Sequence, residues 1–140
     1  MVDGIRPKNS IRRQSVEFAV VFVIVLVVAC LPLFRTRILP LLDEPNHLSE
    51  TYILHHYDDA WANVRQFYDV HLPPVPYLAY YLLVHCIAYV TDIEIANKIV
   101  IAAYIVSLPI VALLWTSRTG RSPWLSLLVI PLAYSTSFSL

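Results

Sequence analysis

The stretch FAVVFVIVLVVACLPLF, residues 18–34, decides the fold class, because it runs for 17 residues without a charge. As a helix rising about 1.5 Å per residue it would be about 25 Å long, close to what is needed to cross the hydrocarbon of a bilayer. Three further apolar blocks follow, at residues 76–90, 99–115 and 123–140. Charged residues are only 14% of the chain, and they gather between the blocks instead of spreading as they would over a water-facing surface. The expected fold is therefore an all-α integral membrane protein with about four transmembrane helices. A basic segment occupies 1–17, the first span 18–34, a long polar loop 35–75, and the second to fourth spans 76–140.

The zero formal net charge hides a segregation by sign. Arg6, Lys8, Arg12 and Arg13 precede the first block, which places the N-terminus on the cytoplasmic side of a plasma (inner) membrane and the 35–75 loop outside it. These basic residues suit anionic lipid heads, so membrane lipid and not nucleic acid is the expected partner. Counting four spans returns residues 91–98 to the inside and puts Arg118 and Arg121 outside, against the same rule. Pro109 and Pro131 fall within blocks and are expected to kink helices there. Cys30 and Cys86 also lie in apolar blocks, where thiols pack as small apolar groups. Val27-Val28-Ala29-Cys30 loosely fits a lipoprotein cleavage site, but the apolar run continues to Phe34 and more blocks follow, so an uncleaved anchor is expected.

The 35–75 loop holds six of the ten acidic residues and four of the five histidines. A tether between spans needs only a few residues, so a connection this long and this titratable points to a site or a binding surface. Within it, Asp43-Glu44-Pro45 reads as a helix start, with proline at the first helical position and an acid at the cap. Leu48, Thr51, Tyr52 and His55 recur at helical spacing, predicting a short amphipathic surface helix over residues 45–57. Carboxylates there face the positive end of the helix dipole, which favours their ionised form. Asp43 and His47 are four residues apart, a spacing that lets both reach one metal ion; capping alone also explains the acids. Downstream, Asp69 and His71 precede Pro73, Pro74 and Pro76, whose stiff extended backbone would hold both residues just above the membrane. His55-His56 and Asp58-Asp59 read as a solvated face, and His85 inside the second block as a functional candidate or an imidazole bonded to a neighbouring helix.

A basic N-terminus, one span and then an Asp-Glu pair at the start of a surface helix resemble the beginning of a GT-C glycosyltransferase, the superfamily of the protein mannosyltransferases and aminoarabinose transferases. Members often carry Lys-Pro-Pro-Leu-x-Tyr-Trp ahead of the second span, and His71-Leu72-Pro73-Pro74-Val75-Pro76-Tyr77-Leu78 is similar in character. The lysine and the tryptophan are missing here and the spacing is shifted. The resemblance covers the N-terminal portion of a typical member, and the chain accordingly reads as part of a longer protein. It implies a polyprenyl-phosphate-linked sugar as donor and transfer to an extracytoplasmic acceptor. Asp43 and Glu44 would be the catalytic residues, Asp69 and His47 would hold a divalent metal ion, and His71 and Tyr77 would bind substrate. The alternatives are a small multi-span structural or assembly protein with an acidic docking loop, and a fragment of a transporter.

Overall fold

The computed structural model describes residues 8–36, 44–71 and 77–138, and every regular element among them is helical. Helix α1 spans Lys8–Arg35, α2 Glu44–His55, α3 Leu78–Ala88, α4 Ile93–Arg118 and α5 Ile130–Phe138. Short 3₁₀ segments cover Val64–Gln66 and Pro123–Val129.

Two of the described helices are long and apolar enough to cross a membrane, over Ser15–Arg35 and Ile93–Arg118. Only 22% and 17% of their most apolar windows are buried within the chain, unlike the core helices of a water-soluble protein. Val20, Val23, Ile24, Val27 and Val28 of α1 are each more than half exposed. Contiguous apolar surface of this kind is costly in water and suited to lipid. Membrane association is the reading these faces support.

The two long helices run antiparallel. Near the start of α1, Phe18 meets Trp124, just past the end of α4, with ring centroids 5.2 Å apart. At the other end the Lys98 ammonium donates to the Thr36 carbonyl at 2.6 Å, tying the beginning of α4 to the residue after α1. Between these points Leu33 and Ile105 bury together with Ala133 of α5. The Tyr134 hydroxyl donates to the Ala29 carbonyl, so α5 runs back alongside α1. Helix α4 stops because Gly120 takes a left-handed φ of 65°, letting the Arg121 amide donate back to the Thr116 carbonyl at 2.9 Å.

Helix α3 is shorter than the span expected at 76–90. Its 11 residues make about 16 Å of helix, roughly half of a hydrocarbon core of about 30 Å. It lies beside α2 and parallel to it, with His47 against Tyr77 and Tyr81 near their starts and His55 against His85 near their ends. Through Asn97 and Lys98 this helix pair sits at the end of the bundle where α1 stops and α4 begins. Helix α4 starts at Ile93 instead of near Ile99, because Asn97 and Lys98, which interrupt the apolar pattern, are buried and hydrogen-bonded inside its first turns. The block expected at 123–140 begins as 3₁₀ helix, and Pro131 falls in the first turn of α5, where a missing N–H removes no helical hydrogen bond.

Candidate functional site

Helix α2 begins with Glu44 followed by Pro45, as the acid-proline start predicts. Glu44 turns inward. It is 5% exposed, and its Oε1 accepts from Asn97 Nδ2 at 2.8 Å. The Asn97 Oδ1 in turn accepts the Tyr80 hydroxyl at 2.6 Å. A carboxylate only accepts, so the amide must point its NH₂ at Glu44 and its carbonyl at Tyr80. One buried amide thus joins the start of α2, the first turn of α3 and the second turn of α4.

The neighbouring face of α2 is open. The Tyr81 hydroxyl donates to Glu50 Oε2, and His47 Nδ1 lies 2.8 Å from the same hydroxyl. Since the phenol proton goes to the carboxylate, its oxygen accepts from His47 Nδ1–H, which leaves Nε2 of a neutral His47 as an acceptor. The His47 ring also packs on Tyr77, with centroids 4.8 Å apart. Glu50 and Tyr81 form one wall of a cleft of about 410 Å³, and Tyr68, Asp69 and His71 form the other.

The sequence-derived candidates therefore fall into three places. His47 and Tyr77 are in ring contact. Asp69 and His71 share the cleft, separated from His47 by Tyr81 and Glu50. Glu44 belongs to the buried junction and lines neither wall. Asp43 and the proline-rich segment 72–76 lie outside the described residues. Among the described residues no three His, Cys, Asp or Glu side chains are grouped to hold a metal ion, and Asp69 and His47 lie in different places. Glu50, Tyr81, Asn97 and Lys98 were not singled out from the sequence. A signal existed for Glu50, one turn after His47 on the same helix face; nothing local marks Asn97.

No protein-family model matches the chain, and no curated protein or solved structure shows significant similarity to it.

At the far end of α2, His55 and His56 are more than a solvated face. His55 Nδ1 lies 3.3 Å from His85 Nδ1, whose other ring nitrogen is 3.2 Å from the Tyr89 hydroxyl. His56 Nδ1 donates to Asp59 Oδ2 at 2.7 Å, which holds the Asp59 carboxyl below its usual range. His85 is thus an imidazole bonded to a neighbouring helix, one of the two roles its sequence position suggested. Burial pushes the His55 imidazole below the usual value for histidine, and positive charge on His56 and His85 acts in the same direction. The unfolded chain then takes up a proton that the folded chain resists, so stability falls as pH drops through 6.5 and below. Asp59 acts only in strong acid, because its stabilisation is present above the usual carboxylate range and is lost as pH falls through its depressed value. Thermal unfolding between pH 7.5 and about 5 should therefore show a decline in wild type that is shallower in His55→Gln. Equal slopes in the two proteins would contradict this assignment.

Proposed function

We propose that this chain is the N-terminal part of a membrane glycosyltransferase that moves a sugar from a polyprenyl-phosphate donor to an extracytoplasmic acceptor. The observation that carries the proposal is the buried Glu44–Asn97 hydrogen bond. It fastens an acidic helix start to the end of the helix bundle, where a lipid-linked phosphate would meet water. In this reading α1 and α4 cross the inner membrane and α5 runs back along them, while α2 and α3 lie at the outer interface. The N-terminal basic residues, Arg118 and Arg121 then share the cytoplasmic side. The clash with the positive-inside rule, produced by counting α3 as a span, disappears.

Asp43, the residue before Glu44, is the proposed base. Its carboxylate takes the proton of the acceptor hydroxyl as that oxygen attacks the anomeric carbon. The bond from that carbon to the donor phosphate oxygen breaks, and polyprenyl phosphate leaves with the electron pair. Glu44 is a positioning residue, since its carboxylate is committed to Asn97.

The test is reconstitution of the full-length protein in vesicles containing a radiolabelled polyprenyl-phosphate sugar. Label should move from the lipid to a water-soluble acceptor in a protein-dependent manner. Label that stays on the lipid for both hexosyl and pentosyl donors would contradict the proposal.

A further inference from the structure

We infer that the cleft between α2 and residues 68–71 binds the uncharged, hydroxyl-rich part of the acceptor, a sugar or similar polyol. This assignment of substrate class rests on the transferase reading above, but its binding test is separate. The proposed reaction has two substrates of opposite character, one carrying phosphate and one presenting hydroxyl groups. The lining of this cleft discriminates between them. Glu50 and Asp69 both line it, and among the described residues no lysine or arginine does. A phosphate there would meet two carboxylates of like charge, which disfavours it.

Hydroxyl groups are the matching ligands. Carboxylate oxygens only accept hydrogen bonds, so they need donors, and each sugar hydroxyl supplies one. The His71 imidazole adds a group that both donates and accepts when neutral. Tyr68 and Tyr81 bring aromatic rings to the same space, and Leu54 contributes apolar surface, so the C–H faces of a sugar ring have partners as well. The wall is also preset, because Glu50 is tied across to Tyr81 and Tyr81 to His47. At about 410 Å³ the cleft falls in the size range of small-molecule sites, about 300–1,000 Å³.

Saturation-transfer NMR on the full-length protein in lipid nanodiscs tests this directly, with methyl α-mannopyranoside and methyl β-glucopyranoside as probes. At least one glycoside should bind saturably and should not be displaced by inorganic phosphate. Asp69→Asn should weaken that binding about tenfold, the scale of one lost hydrogen bond to a charged partner, and Tyr81→Phe about fivefold, because Glu50 loses the hydroxyl that holds it in the wall. Asp58→Asn, the same charge change away from the cleft, should leave binding as it is. Thermal unfolding of each variant separates a lost contact from a lost fold. Binding without sugar transfer would uphold the cleft assignment while removing the transferase reading. Displacement by phosphate, no saturable binding of either glycoside, or binding indifferent to Asp69 and Tyr81 would overturn it, even in a protein active in transfer.

Discussion

Asp43→Asn in the full-length protein should lower sugar transfer by about two to four orders of magnitude, the usual contribution of a positioned general base. The amide is nearly the same size and still accepts hydrogen bonds, but it cannot take the acceptor proton. Donor binding should change little, so the loss should appear in kcat more than in KM. Glu44→Gln makes the informative comparison. Its side chain is turned to Asn97, so the amide should perturb the junction and reduce activity partially, in step with a loss of stability. A base and a positioning residue then separate by their readouts. Retention of full transfer activity by Asp43→Asn would remove the proposed mechanism.

The second large effect concerns stability. Asn97→Leu should destabilise the packing of α2 and α3 on α4 by about 3 kcal/mol, combining a lost hydrogen bond to a buried carboxylate with a half-buried phenol deprived of its acceptor. Leucine keeps the branched outline of asparagine but can make neither bond. Asn97 is 1% exposed, which keeps water from replacing either bond. The damage should be local as well. Proteolysis within residues 56–71 should quicken, while the α1–α4 contacts at Phe18–Trp124 and Leu33–Ile105 persist. Thermal unfolding and limited proteolysis in detergent check both parts. A change under about 0.5 kcal/mol would show that the junction does not hold α2 in place.

How much of this was legible in the sequence depends on the kind of signal. The 17 charge-free residues of α1 need no partner to be recognised, and neither does the acid-proline start of α2. The α4 boundary was misplaced because Lys98 looks like the end of an apolar block. Its charge is accommodated by the Thr36 carbonyl, a residue 62 positions away. The same limit hid Asn97, whose value comes from Glu44 and Tyr80 on two other helices. Hydropathy alone counts α3 among the spans, since an apolar helix that packs on a neighbour and one that crosses a membrane look alike over 11 residues. Of the site, the histidines and acids of the loop stood out, but their pairing required the parallel alignment of α2 with α3. The cleft wall supplied by Tyr81 follows from that alignment alone.

That alignment brings the loop after α2 and the turn after α3 to one side of the membrane, and labelling of single cysteines with a membrane-impermeant maleimide measures the side. Cys30 and Cys86 would first be replaced by serine, and cysteines then placed one at a time at Asn9, Asp58, Thr91 and Ser122. Asp58 and Thr91 should label from the same, extracytoplasmic side, and Asn9 and Ser122 only from the cytoplasmic side. Thr91 labelling together with Asn9, and Ser122 together with Asp58, would mean that α3 crosses the membrane and would overturn the placement of α2 and α3 at the outer interface.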